Sequence, residues 1–359
     1  GCTALLLTGF GLQDSINDII DKHYGELIEY NAVVSMEPDA TAEDRQALEG
    51  ALAGGASASK VAMAYDEPMA AVGEGGELSV QLIVPEDLQA FEGLWHLRDR
   101  LTHEAVPLGD EGAVVTEKVA TRFGLAVGDM LSLAEQDEMG NAAGDVREVP
   151  VVGIAENYIG HSVFMSPPAC EDAFGSVHEP NEAYLKAPMS EQDRAAFAQQ
   201  MQGMDAVKTV SFNDETIDAY KTALKSVNMV VVVLIVAAAL LAFIVLYNLT
   251  SINVAERMRE IATLKVLGFT RREVDLYIFR EMLILAALGA AIGLVLGIFL
   301  ENFVVTTAEV DVVMFGRDIH GPSFVLAFAM TMAFAAAVAV AMRGKLDGID
   351  MVESLKSNE

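Results

Sequence analysis

Three stretches of the chain, 229–247, 282–300 and 324–342, run from end to end without an acidic or basic side chain. Each is close in length to the ~20 residues a helix needs to cross a hydrocarbon core about 30 Å thick. Helices of a soluble core rarely stay apolar on every face for so long, so each stretch predicts a transmembrane helix. A fourth apolar stretch, 1–12, would rise only about 18 Å as a helix. It predicts the outer end of a span that starts upstream. It lacks the basic lead of a secretory signal, and Leu5, Leu6 and Leu7 follow Cys2 where a lipoprotein carries a polar tether.

Between the first and second apolar stretches the pattern changes. Ile16, Ile19, Ile20, Tyr24, Leu27 and Ile28 recur at helical spacing, and so do Ile217, Tyr220, Leu224 and Val227; both predict amphipathic helices forming a stalk. Inside the stalk, alternating or β-branched runs at 32–36, 61–65, 78–84, 113–116, 130–133, 149–154, 162–165 and 207–212 predict strands. Helical patterns fall at 117–123 and 191–201, and Gly128-Asp129 and residues 139–141 mark turns. The fold class expected is an α-helical membrane protein of four spans, the first truncated, with a large α+β extracytoplasmic domain on a helical stalk. The boundaries are 1–12, end of the first span; 13–226, outer domain; 227–250, span; 251–281, cytoplasmic loop; 282–300, span; 301–323, short outer loop; 324–342, span; and 343–359, cytoplasmic tail.

Charge sets the orientation. Segment 251–281 carries six basic residues, Arg257, Arg259, Lys265, Arg271, Arg272 and Arg280, whereas 301–323 carries only Arg317; by the positive-inside rule the former faces the cytoplasm. Arg343, Lys345 and Lys356 put the C-terminus on the same side, at the plasma membrane. Residues 13–226 hold 39 acidic and 13 basic side chains, a balance of −26 within the chain's −29. That balance argues against a nucleic-acid partner.

Catalytic patterns are missing. The six histidines are scattered, with no HExxH, GxSxG, Walker A or Rossmann spacing. His103 and Glu104, adjacent in sequence, point to different faces of any regular element. Glu86-Asp87 and Glu171-Asp172 fit helix N-terminal turns better than a calcium site. Cys2 and Cys170 predict neither a disulfide scaffold nor a zinc site. The expectation is a non-enzyme without cofactor or metal.

The loop 251–281 is the most informative stretch. Val254, Met258, Ile261, Leu264 and Leu267 fall on one side of a helix, with Glu256, Arg257, Arg259, Glu260 and Lys265 largely on the rest. Gly268 suits a left-handed C-terminal cap. Thr270 with Glu273 predicts a capping box, and Phe269 with Val274 a hydrophobic staple, at the start of a second helix. Taken alone, a charged amphipathic helix between two spans fits the lipid surface equally well. In the third span Gly289, Gly293 and Gly297 form a small-residue stripe that predicts close packing against another helix or a second copy.

The string ERMREIATLKVLGFTRREV, between a span and an apolar helix, resembles the signature loop of the FtsX-like permeases, the MacB-type permeases of ABC transporters. The order of one span, a large outer domain and three spans is similar, as are ENYIGHSVFMSP, Val127-Gly128-Asp129 and the tail IDMVESLKSNE. The resemblance implies that a helix over 255–267 docks on an ATP-binding cassette subunit, with Glu256, Arg257, Arg259, Glu260, Leu264, Lys265 and Gly268 as the coupling surface. It also implies mechanotransmission: ATP-driven stalk movement shifts the outer domain, and substrate does not pass through the spans. The absence of charge from the complete spans agrees with that. Expected partners are the ATPase, the bilayer, and a second permease copy or a fused upstream half. Expected work is export or extraction of a lipid, lipoprotein, peptide or antibiotic. The alternatives are regulation of a cell-wall hydrolase, as by the division member of that family, and a membrane-anchored interaction or sensor role.

Overall fold

The computed structural model describes residues 1–54, 60–176, 178–186, 190–309 and 311–347. The tail string at 349–359 lies outside the described residues. Packing divides the chain into a helical unit, Gly1–Asp18 with Leu224–Glu309 and Phe315–Glu359, and a sheet unit, Ile19–Ala223 with Val310–Met314.

In the sheet unit, β1 (Ala32–Met36), β2 (Lys60–Gly73), β3 (Gly76–Pro85), β4 (Ala113–Thr116), β5 (Met130–Gln136), β6 (Ala142–Ala155), β7 (Ser162–Met165), β8 (Glu182–Lys186) and β9 (Val207–Phe212) form one mixed sheet. Its order is β3-β7-β4-β6-β5-β2-β8-β1-β9, and β2 also pairs with β3. Six strands therefore close into a ring. β2 is long enough to belong to the ring and to the β8-β1-β9 extension: it pairs β8 through residues 60–64 and β5 through 69–72. The inward positions of the ring, among them Met69, Leu82, Val115, Leu131, Val151 and Met165, form one buried core. A second core lies on the extension, where Val34 and Leu185 pack with Leu48 and Leu52 of α2 (Ala42–Gly54) and Phe197 and Met201 of α6 (Glu191–Gln202).

Local chemistry fixes the shorter helices. Asp87 accepts from the backbone N–H groups of Gln89 and Ala90 at 2.8 and 3.2 Å to start α3 (Leu88–Glu92). Ser166 caps α5 (Pro167–Phe174), with prolines in its first turn where no N–H is needed. Gly124 and Gly175, at φ 65° and 73°, end α4 (Glu117–Phe123) and α5 in the left-handed region that glycine enters freely.

Strands β1, β4, β7 and β9 and helix α4 have the bounds their patterns predict. The strand β8 and helix α2 are additions, the first short and the second dominated by Ala and Glu with a weak apolar stripe; the helix start expected at Glu171-Asp172 is corrected to Pro167, which places that pair in the second half of α5. The stalk stripe at the chain start is corrected. α1 runs Cys2–Lys22 and gives way to a π-turn, His23–Leu27, so Tyr24, Leu27 and Ile28 lie past the helix end. Buried Leu27 and the Ile28–Trp95 bridge draw the chain into the sheet unit instead. From the segment after the third predicted span, residues 311–314 join this unit too. Val313 bridges Ile159, and the Val312 carbonyl accepts from the Gly160 N–H at 2.9 Å.

The helical unit is built on α7 (Asn213–Glu256) from Leu224 onward, α8 (Met258–Val266), α9 (Arg271–Ala308) and α10 (Gly321–Asp347). Among the described residues three helices are long and apolar enough to cross a membrane, within α7, at Phe279–Ala308 and at Gly321–Arg343. The opening segment, Gly1–Asp18, holds most of α1 and packs in the same unit. Thr3 and Thr331 hydroxyls lie 3.1 Å apart. At the other end of this segment Asp14 accepts from the His320 backbone N–H at 3.0 Å and the Ser323 hydroxyl at 2.6 Å. Asp18 faces the His320 ring at 3.0 Å, and Ser15 donates to buried Glu301 at 3.2 Å. Such polar groups persist at low exposure because each finds a partner.

Candidate functional site

The joint between the second predicted span and the following loop comes at Arg257. α7 has neither Gly nor Pro over its 44 residues, so the helix does not stop where its apolar run ends and continues to Glu256. Arg257 then leaves the helical basin, at φ −96° and ψ 14°. The single helix over 255–267 is thus corrected to the end of α7, a joint at Arg257 alone, and the short α8. Arg257 is tied across the joint: its guanidinium donates to both carboxylate oxygens of Glu281, at 2.7 Å to Oε1. A bidentate pair fixes the angle as well as the distance.

α8 lies on a small buried cluster of Val254, Ile261, Val274, Phe279, Val338 and Met342, with Leu264 half-buried against it. The turn after α8 closes through Gly268 at φ 89°, its N–H reaching the Lys265 carbonyl at 3.2 Å, while the Phe269 N–H reaches the Leu264 carbonyl at 3.2 Å. A residue with a Cβ is disfavoured in that conformation. Thr270 and Glu273 then form the capping box of α9: the Thr270 N–H and hydroxyl both donate to the Glu273 carboxylate at 2.8 Å.

The residues singled out from sequence therefore separate. Glu256, Arg259, Glu260 and Gly268 are exposed. Arg257, Leu264 and Lys265 are half-buried, the first two holding the joint and the cluster. Leu267 does not share the buried stripe. It is 69 % exposed, beside Val266 at 61 % and Phe269 at 49 %, so the staple is half-made, with Val274 buried and Phe269 open. The helical period that grouped Leu267 with Leu264 ends when α8 ends at Val266. The signal for this apolar tip was the run Val-Leu-Gly-Phe itself: three apolar side chains around a turn glycine, within a charged loop.

The glycine stripe also divides. A Cβ on Gly293 would meet Thr3 Cβ at 2.9 Å, and one on Gly297 would meet Leu7 Cδ2 at 2.9 Å and Ala4 Cα at 3.2 Å. These two lie against α1, while Gly289 faces open space. Among the described residues no group of three or more His, Cys, Asp or Glu is arranged to hold a metal ion. His103 sits in a loop at φ 57°, and Cys170 is buried in the ring core, where burial pushes its thiol up to about 11.

Comparison with known proteins bears on both units. Residues 1–204 match the model of a MacB-like periplasmic core domain, and residues 232–346 that of the FtsX-like permease C-terminal domain. Over 189 residues, 53 % of this chain, there is 24 % identity to an uncharacterised ABC transporter permease protein of Mycobacterium tuberculosis (strain ATCC 25618 / H37Rv). The matched stretch is 22 % of that relative's length. Among solved structures, the extracellular domain of the noncanonic ABC-type transporter YknZ from Gram-positive bacteria aligns at 11 % identity and TM-score 0.33, covering 51 % of this chain and 98 % of that one. The periplasmic region of MacB from Actinobacillus actinomycetemcomitans aligns at 11 % identity and TM-score 0.32, covering 54 % and 94 %.

Proposed function

The chain belongs to the FtsX-like, MacB-type permeases of ABC transporters, and from that premise we propose that it couples ATP hydrolysis by a separate ATPase subunit to movement of its sheet domain on the outer side of the membrane. The observation that carries this reading is the tip formed by Val266, Leu267 and Phe269, exposed at the end of α8 beside Lys265, on a helix whose first turn exposes Arg259 and Glu260. Apolar anchors inside a charged rim are the usual composition of a protein-binding hot spot. The charges set register and partner choice. Arg257 and Leu264 act on the orientation of α8, the first through its surface pair with Glu281 and the second through its packing on the cluster below: they hold α8 at the angle from which the tip is presented.

In this reading α1 contributes to a fourth span, supported by the packing of Gly1–Asp18 with the helical unit. The loop 251–281 and the C-terminus lie in the cytoplasm of a multi-pass plasma-membrane protein, supported by the six basic residues of the loop. The membrane helices transmit motion and form no conduction path, since the predicted spans are free of charge. A second permease copy or an upstream half completes the assembly, and the work is export or extraction of a lipid, lipoprotein, peptide or antibiotic.

The test is reconstitution with the cognate ATPase. Leu267→Asp combined with Phe269→Ser is expected to weaken association at least about tenfold, about 1.4 kcal/mol, and to abolish any permease-dependent change in ATP hydrolysis. Retained association and retained stimulation of hydrolysis would overturn the reading.

A further inference from the structure

β2 changes partner midway, and a cavity of about 270 Å³ opens where it does so. Its β8 neighbour ends opposite Ala64 and its β5 neighbour begins opposite Met69. In the gap the Asn181 side chain replaces a strand, accepting from the Asp66 N–H at 2.7 Å and donating to the Asp66 carbonyl at 2.8 Å. Tyr65, Glu67 and Met69 alternate onto one face. Leu82 of β3 pairs opposite Glu67, and Glu135 of β5 opposite Met69. Met69 and Leu82 belong to the ring core, so the floor of the cavity is apolar.

The wall is aromatic. His178 stacks on Tyr65 with centroids 4.3 Å apart and planes 20° from parallel, and Phe174 stands edge-on to His178 at 6.3 Å. The Ser176 hydroxyl lies 3.2 Å from His178 Nε2 and steadies that ring. The rim is anionic: among the described residues Glu67, Glu135 and Asp137 line the cavity and no Lys or Arg does. Asp137 is engaged by the N–H groups of Met139 and Asn141 at 2.9 and 2.8 Å. Glu67 and Glu135 accept no hydrogen bond and pair with no cation among the described residues.

We propose that this cavity binds an alkylammonium or guanidinium group, its aliphatic stem on Met69 and Leu82, its charge between Glu67 and Glu135 and beside the Tyr65–His178–Phe174 wall. A cation gains from both the ring faces and the carboxylates. The volume lies below that of sites for drug-sized ligands, and so fits one basic side chain or a small amine. The field of a domain with 39 acidic and 13 basic residues raises the local concentration of such cations. This site goes beyond the coupling role and does not rest on it.

Calorimetric titration of the full chain in neutral detergent, with no ATPase present, tests the proposal. The probes are agmatine and an end-blocked tri-arginine peptide. Saturable binding of at least one probe is expected: agmatine binding assigns the source to a free amine, and binding of the peptide alone assigns it to a side chain presented by a polypeptide. Glu67→Gln with Glu135→Gln is expected to weaken binding at least tenfold. Glu43→Gln with Glu49→Gln, exposed carboxylates on α2, should leave it unchanged, as should Tyr65→Phe, which keeps the ring. Unchanged Trp95 fluorescence in each variant reports an intact sheet unit. Failure of both probes to bind, equal weakening by the two Glu pairs, or full binding by Glu67→Gln/Glu135→Gln overturns the proposal.

Discussion

At the scale of single residues, two carboxyls in the sheet unit govern how it responds to pH. Asp66 accepts from the Tyr184 hydroxyl at 2.6 Å, yet its other oxygen is buried without a hydrogen-bond partner among the described residues. Burial pushes it up to about 6, against a lowering by Tyr184. Glu182, bonded by Ser35 at 3.0 Å, is pushed up by burial to about 7. Both pKa values are raised, so the folded state holds these protons more tightly than the unfolded chain. Their stabilisation is complete below about pH 4 and is lost as pH rises through 6 to 7. Asp66→Asn with Glu182→Gln removes that dependence. The difference in stability between variant and parent should grow by an amount on the order of 5 kcal/mol between about pH 4 and pH 7.5. Thermal melts followed at Trp95 measure it, and parallel pH profiles would refute it. Neither residue stood out in the sequence, because a carboxyl's burial depends on strand partners such as β1 and β8 that no local pattern pairs.

At the scale of elements, close packing in the helical unit uses two glycines of α9 together with Gly9 and Gly11 of α1. A branched side chain at Gly297 has to displace Leu7 and the α1 backbone near Ala4, an overpacking cost of about 1–3 kcal/mol. Gly297→Val is therefore expected to lower the detergent melting temperature by several degrees, and Gly289→Ala to leave it within error; equal melting temperatures would show that α1 yields freely. The small-residue spacing was legible in the sequence, whereas which glycines meet a neighbour depends on how α9 is rotated. The cytoplasmic loop followed the same division. Helix, Gly268 turn and capping box were legible because they are local. The joint at Arg257 was not: it depends on Glu281, which lies on the next long helix and beyond the reach of any local pattern. The ring of strands was legible as strands, four of the nine in the sheet to the residue, but its closure depends on the parallel β3–β7 pair, which joins strands far apart in the chain and has no local sequence signature.

At the scale of the whole molecule, charge is segregated: −26 over residues 13–226 and −3 over 227–359. Like charges on a compact domain repel, and salt screens them over a Debye length of about 10 Å at 0.1 M. Raising NaCl from about 10 mM to about 300 mM should raise the midpoint at which the single tryptophan, buried Trp95, becomes exposed. A flat or falling midpoint would mean that pairs such as Arg100–Glu117, 2.7 Å apart, outweigh the repulsion. The membrane character of the chain and its acidic domain were both legible from composition, since they are sums over many residues.

The 44 residues of α7 extend about 66 Å, more than twice the hydrocarbon thickness of a bilayer. Without Gly or Pro the rod has no built-in point of flexure, and its regular dihedral angles first break at one end, at Arg257. A twist applied at that end is not dissipated turn by turn, because doing so would strain every backbone hydrogen bond between. In the proposed coupling role the rod would pass such a twist along its length, with the Arg257–Glu281 pair bracing the end at which it enters.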